Sequence, residues 1–302
     1  MKILVSGSTG FIGAALVSSL QKERHQVVSL ARTGHGGTGP AIYWDPAQGH
    51  LSQEQLEGFD AVVHLAGESI AEGRWTAAKK KRILDSRVQG TKLLSETLAR
   101  LKNPPRVLVV ASAIGYYGDR GGEILTESSS RGSDFLAEVC EAWERAAQPA
   151  KEKGIRVVHP RIGIVLGKGG GALAKMLLPF KLGLGGRLGS GNQYMSWIAL
   201  EDLVGVIQFA LNHSALNGPV NAVSPAAATN NEFTKTLGRV LNRPTIFPAP
   251  AFALKLLLGE MAQALLLSSA NVKPQKLLET KYPFKFAGLE PALRNLLINK
   301  PE

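Results

Sequence analysis

Short unbroken apolar runs alternate along this chain with longer segments in which apolar residues recur every three or four positions. The runs are Ile3-Leu4-Val5, Gln26 to Leu30, Ala41 to Trp44, Asp60 to Leu65, Val107 to Val110 and Gly154 to Pro160. Their length and lack of alternation predict strands buried on both faces. Between them, Phe11 to Leu20, Lys79 to Leu101 and Asp134 to Ala147 carry helical spacing. In the second of these, Ile83, Leu84, Val88, Leu94, Leu98 and Leu101 form one apolar face, and Pro104-Pro105 stop the helix. Leu51 to Leu56 reads as a short helical turn. Further on, Trp197-Ile198 reads as a strand end and Glu201-Asp202 as a helix start, where acids suit the dipole. Asn221 to Pro225 and a helix from Asn231 to Leu241 follow. Strands alternating with amphipathic helices, with no internal repeat, predict an α/β fold with a doubly wound parallel sheet.

Glycine punctuates this pattern at informative places. Gly7, Gly10 and Gly13 follow the first strand and open the first helix in the spacing G-x-x-G-x-x-G. The first permits a tight turn, the second a close approach of a diphosphate, and the third close packing of helix on strand. The helix N-terminus adds N–H groups and a partial positive charge. His35 to Gly39 reads as a flexible loop, and Lys181 to Gly191 as a loop free to close over a ligand. Past Pro248-Ala249-Pro250 the chain turns Leu-rich with Lys-Pro and Tyr-Pro breaks. That predicts a large domain over 1–245, its substrate side about 168–245, and a small, mostly helical subdomain over 246–302.

Composition adds limits. With 44% hydrophobic and 20% charged residues the chain is ordinary for a globular protein. Its most apolar stretch, Phe252 to Ala270, contains Lys255, Gly259, Glu260 and Gln263 and so is no membrane span, and no membrane partner is expected. One cysteine, Cys140, excludes an internal disulfide, and no signal peptide precedes the first strand, so a cytoplasmic location is expected. The net charge of +11 invites a nucleic-acid reading. The basic residues are scattered, however, and the one dense run, Lys79 to Arg82, reads as a solvated helix face. A small-molecule substrate and no nucleic acid are the expectation, with no metal site and no basis for an oligomeric state.

Ligands on such sheets sit beyond the carboxyl ends of the strands. That rule selects Arg32, Ala66, Gly67, Ser112 and Arg161. Where nicotinamide folds place an acid about 20 residues past the glycines, this chain has Arg32 after Ala31. A guanidinium pairs with a 2′-phosphate through charge-assisted bonds worth about 1.5–3 kcal/mol, so NADP(H) is favoured over NAD(H). Arg82 and Arg87 lie five apart on the flanking helix, where both can reach phosphates.

The chain resembles the short-chain dehydrogenase/reductase superfamily in its extended style through GSTGFIG, DAVVHLAG, the serine-then-YG loop, RIGIVLG and WIALEDL. More narrowly it is similar to the atypical, YfcH-like epimerase family, on LAGESI with a following RW, SAIGYYGD, LLPFKLGLGGRLGSG and the helical tail. The resemblance implies a Rossmann-type domain binding NADP(H). Cofactor contacts are then expected from Gly7, Thr9, Gly10, Phe11, Ile12 and Gly13, from Ala31, Arg32, Leu65, Ala66 and Gly67, and from Arg82, Arg87 and Arg161. It also implies a tyrosine and a lysine four apart on one helix, with a nearby serine. Here Leu136 and Cys140 take those two places, Ala113 takes the serine's, and Arg87 stands where asparagine is usual. Ser112 and, among the loop tyrosines Tyr116 and Tyr117, Tyr117 are the remaining catalytic candidates. Cys140, beside Glu141, Glu144 and Trp143, reads as a packed hydrophobe rather than a nucleophile. The expected activity is that of an oxidoreductase or nucleotide-sugar epimerase acting by hydride transfer on a small polar or sugar-nucleotide substrate. The alternative is a catalytically silent NADP(H)-sensing regulatory or scaffold protein.

Overall fold

A computed structural model describes residues 1–32 and 39–298. The loop expected from His35 to Gly39 falls, apart from Gly39, outside them. Among the described residues seven parallel strands form the main path of the central sheet: β1 Lys2–Ser6, β2 Gln26–Ala31, β3 Ala41–Asp45, β4 Ala61–His64, β5 Val107–Val110, β6 Arg156–Ile162 and β7 Gly218–Ala222, and the short strand Ser112–Ala113 pairs parallel with Arg161 and Ile162 of β6 off that path. Their spatial order is β7-β6-β5-β4-β1-β2-β3, with His50–Leu51 antiparallel at the β3 edge. The chain therefore starts in mid-sheet, runs outward to β3, and returns to the other side of β1 at β4. This reversal opens a crevice above β1 and β4, where Ser6 pairs with His64. The fold is Rossmann-like.

Each strand of the centre buries both faces. Ile3, Leu4 and Val5 are fully buried, and burial of such side chains is worth about 1.5–3 kcal/mol apiece. Ile3 and Val5 pack with Leu16 and Leu20 of α1 (Phe11–Lys22) and with the helix Leu200–Asn212. Leu4 points the other way, to a core shared with Leu94 and Leu98 of α2 (Ala77–Ala99) and Trp143 of α3 (Phe135–Arg145). Side chains of Thr76 and Asp134 cap α2 and α3 by accepting from Lys79 N and Ala137 N.

One strand departs from the expectation, and one helix lies where no element was expected. β6 continues through Arg161 and Ile162 instead of ending at Pro160, because β7 pairs with it as far as Ala222 opposite Ile162. A helix over Gly171–Lys181 forms despite its glycine-rich start, burying Leu173 and Phe180. The C-terminal region is helical, with Ala251–Leu258, Gln275–Glu279 and Leu289–Leu297. Leu289–Leu297 packs on the helix Asn230–Leu241 through Leu293, Leu237 and Val240. Buried Asp202 fixes the segment before it, accepting from Lys285 N at 2.7 Å and Phe286 N at 2.9 Å. Among the described residues no helix is long and apolar enough to cross a membrane.

Candidate cofactor crevice and reaction site

The turn after β1 leaves no room for side chains. Gly7 has φ +69°, and a Cβ there would lie 2.9 Å from both Ala66 N and Leu65 C. A Cβ on Gly13 would lie 2.0 Å from Gly7 O. Gly10 N donates to Gly7 O at 3.0 Å, closing the turn. Gly10 then begins α1 with no capping side chain and no acid in the first turn, so the N–H groups of Phe11, Ile12 and Gly13 lack intrahelical acceptors. Thr9 and Gly10 are exposed at its tip. The Phe11 ring is roofed by another glycine run: a Cβ at Gly167 would lie 2.7 Å from Cζ, and one at Gly170 2.4 Å from Cδ2.

At the end of β4, Ser6 Oγ accepts from Leu65 N and Ala66 N at 3.1 and 3.3 Å. It also bonds His64 Nδ1 at 2.6 Å. Burial pushes the pKa of His64 down to about 4, so the ring is neutral at pH 7. Gly67 presses on Arg87, whose Cζ would lie 3.3 Å from an added Cβ. Arg87 donates to Glu68 O at 3.0 Å and Ile83 O at 3.1 Å and sits 5.0 Å over the Trp143 ring. Burial pulls its pKa down.

Glu68, next along, is a hub that the sequence did not announce. Lys79 Nζ donates to Glu68 Oε1 at 2.7 Å, and Arg82 Nε lies 3.8 Å from the same oxygen. The hydrogen bond from Lys79, with the charges of Lys79, Arg82 and Arg32, lowers the Glu68 pKa. Arg32 is exposed just past β2, and Ala31 half-buried at its end. The charges of Arg32, Lys79 and Arg82 thus converge at one side of the crevice. Contrary to the solvated face expected of this run, Lys79 is buried, one helical turn before Ile83 on the core face of α2. The rest of the basic run is paired too, Lys80 with Glu260 and Lys81 with Asp85.

Beyond β5 the structure brings together the three places where serine, tyrosine and lysine are usual. Cys140 Sγ is 3.6 Å from Ala113 O, and a Cβ on Gly115 would lie 3.2 Å from Leu136 Cβ and 3.8 Å from Cys140 Sγ. Burial, then the charge of Glu144, pushes the Cys140 pKa up to about 12. The thiol stays protonated at pH 7. Native Cys140 is therefore expected to resist a thiol reagent such as Ellman's at pH 8 and to react fully once unfolded. Rapid labelling of the native chain would contradict this placement.

Three candidates are placed differently from the expectation. Arg161 lies within β6, 3% exposed, with its guanidinium held by internal partners. Its Nε and Nη2 donate to Glu144 Oε1 and Oε2 at 2.8 and 2.9 Å, and its Nη1 to Tyr117 Oη at 3.0 Å. Burial alone would lower its pKa, but Glu144 and Tyr117 outweigh burial and raise it. Tyr117 is fully buried and donates to Asn221 Oδ1 at 2.6 Å. Burial, partly offset by Arg161, pushes its pKa up to about 12. Ser112, 2% exposed, donates to Glu144 Oε1 at 2.7 Å. Tyr116, half-buried, lies under the Arg161 guanidinium, whose Cζ is 3.4 Å from its ring centroid. The glycine-rich loop is also not free. It is laced to the C-terminal region by Ala249 N to Arg187 O and Gly189 N to Ala249 O, both 2.9 Å.

Residues 3–222 match the NAD dependent epimerase/dehydratase family, and residues 249–296 match a domain of unknown function, DUF1731. The chain belongs to the NAD dependent epimerase/dehydratase family. Epimerase family protein MT2273 of Mycobacterium tuberculosis is 40% identical over 291 residues, 96% of each chain. Human epimerase family protein SDR39U1 is 37% identical over 300 residues, 98% of this chain and all of that one. A crystal structure of the human protein with NADPH superposes with a TM-score of 0.90, covering 99% of this chain and 100% of that one. UDP-N-acetylglucosamine 4-epimerase from Bacillus cereus, at 20% identity, TM-score 0.76 and 98% coverage of both chains, shares the fold alone.

The arrangement of this epimerase-family chain has two chemically distinct halves. One is a glycine turn, a helix N-terminus and a group of cations, which suits a phosphorylated nucleotide. The other is an end where an aliphatic side chain and a protonated thiol stand in the places that the resemblance gives to a tyrosine and a lysine. Glu144 and Asn221, which organise that end from within, carried no sequence signal, since their partners lie on other strands and helices.

Proposed function

We propose that this chain binds NADP(H) in the crevice above β1, β2 and β4 and exchanges hydride with a small polar substrate, sugar nucleotides being the first class to test. The observation that carries the reading is the glycine turn: the Cβ positions of Gly7 and Gly13 fall on backbone atoms, so the loop is pressed flat beneath three free helix N–H groups. The human relative crystallised with NADPH supports it. The N–H groups of Phe11, Ile12 and Gly13 would hold the diphosphate, Arg32 and Arg82 the 2′-phosphate, and the backbone from Leu65 to Gly67 the adenosine side. When bound, the nicotinamide supplies a hydride donor or acceptor.

The chain's own residues then determine where a proton can come from. Leu136 has none to give, Cys140 holds its proton too tightly, and the hydroxyls of Ser112 and Tyr117 are engaged by Glu144, Asn221 and Arg161. That leaves Tyr116, half-buried under the Arg161 guanidinium, water or the substrate itself as the source of the substrate proton. The same observation favours a second reading, a catalytically silent protein whose partner binding responds to NADP(H). A cytoplasmic location belongs with either.

The test couples calorimetric NADPH binding to absorbance at 340 nm across carbonyl and sugar-nucleotide panels, and to chromatography of the sugar nucleotides, because epimerisation returns the cofactor unchanged. Turnover of any member supports the hydride-transfer reading. Tight binding with an inert panel supports the sensor, and no NADPH binding defeats both.

A further inference from the structure

The helix Ala251–Leu258, AFALKLLL, is apolar at every position but Lys255, yet none of its residues is buried. A helix that is hydrophobic all round normally lies inside a protein or a bilayer. It is not loosely held, since Arg74 Nη2 donates to Leu256 O at 2.6 Å and Ala249, just before it, is paired with the 187–189 loop. Phe252, Leu256 and Leu257 are 71–78% exposed.

The neighbouring elements continue the surface. Leu178, Leu182 and Leu184 are 57–66% exposed, and Ile246 and Phe247 71% and 52%. Phe247 N bonds Gly185 O at 3.3 Å, and Arg243 Nε bonds Lys181 O at 2.9 Å, so the two strips lie side by side. Eight of the thirteen large hydrophobics exposed among the described residues fall in these two strips, which makes a patch of what would otherwise be scatter.

The segments that supply the patch carry cations and no acid up to Glu260, whose carboxylate is paired with Lys80. Residues 153–200 and 233–259, which supply the whole patch, contain no aspartate or glutamate, while Lys181, Arg187, Arg243 and Lys255 belong to them. A two-fold contact with a second copy would set this cationic rim against itself. A lipid surface instead offers hydrocarbon beneath an anionic layer, and lysine and arginine stems can lie on the apolar part while their charges reach the headgroups. We propose that this patch docks the chain peripherally on an anionic phospholipid bilayer, with Ala251–Leu258 lying in the headgroup boundary. This runs against the expectation of no membrane partner, which rested on charges that interrupt a spanning segment and do not bear on a peripheral contact.

The full chain is sedimented with extruded vesicles of phosphatidylcholine alone or mixed with phosphatidylglycerol. Binding is expected to the mixed vesicles only, and to weaken between about 50 mM and about 500 mM salt. The double variant Phe252→Asp/Leu256→Asp should bind about tenfold more weakly or worse, with an unchanged circular-dichroism melting curve. Lys255→Glu, which keeps the apolar surface, should also bind less. The proposal is overturned if the wild-type chain stays in the supernatant with mixed vesicles at low salt. It is equally overturned if the double variant sediments as well as the wild type, which would leave net charge alone as the cause. Analytical ultracentrifugation showing a wild-type dimer that the double variant makes monomeric would assign the patch to a second copy.

Discussion

Gly13→Val is expected to destabilise the chain by about 3 kcal/mol or more and to abolish the rise in melting temperature that NADPH produces. Even the first side-chain carbon would lie 2.0 Å from Gly7 O and 2.8 Å from Gly7 C. Either the turn or α1 must move, and both present the N–H groups assigned to the diphosphate. Gly122→Ala is the control, since its Cβ would meet only the Tyr194 ring at 3.8 Å, an ordinary contact. It should change stability by less than about 0.5 kcal/mol. Thermal melts with and without cofactor make the comparison. A Gly13→Val chain that still responds to NADPH would mean that the diphosphate lies elsewhere.

The second large effect lies behind Leu136 and Cys140. Glu144→Ala leaves the Arg161 guanidinium, 3% exposed, with no counter-ion, and is expected to cost about 3–5 kcal/mol in urea unfolding. Ser112 loses its acceptor in the same variant. Arg161→Met should cost less, because Glu144 is 14% exposed and can rehydrate. Combining Arg161→Met with Glu144→Leu should recover about 1–3 kcal/mol relative to the sum of the singles. A Glu144→Ala chain within about 1 kcal/mol of wild type would show that the pair is not a structural centre.

The contrast between these two regions explains what the sequence could reveal. The parallel sheet was legible because buried strands need unbroken apolar runs, and the glycine turn because its constraint is local and falls on three residues of one short segment. Leu136 and Cys140 were legible as departures because a four-residue spacing on one helix fixes a shared face. Arg161 was misplaced for a long-range reason: whether β6 stops at Pro160 depends on β7, some sixty residues later. Adjacent tyrosines in a loop look alike in sequence, and only Asn221 and Arg161 draw Tyr117 inward while Tyr116 stays half-buried. Glu68 is similar, since Lys79 and Arg82 reach it from α2, more than ten residues later in the chain.

The central claim is that this crevice selects a 2′-phosphorylated dinucleotide through the cations gathered beside β2 and β4. Titration calorimetry of NADPH and NADH against the wild-type chain and Arg32→Ala tests it most directly. The account predicts that wild type prefers NADPH by about tenfold or more and that Arg32→Ala loses most of this preference while its NADH affinity is unchanged. Equal affinities for the two cofactors, or a preference that survives Arg32→Ala intact, would contradict it.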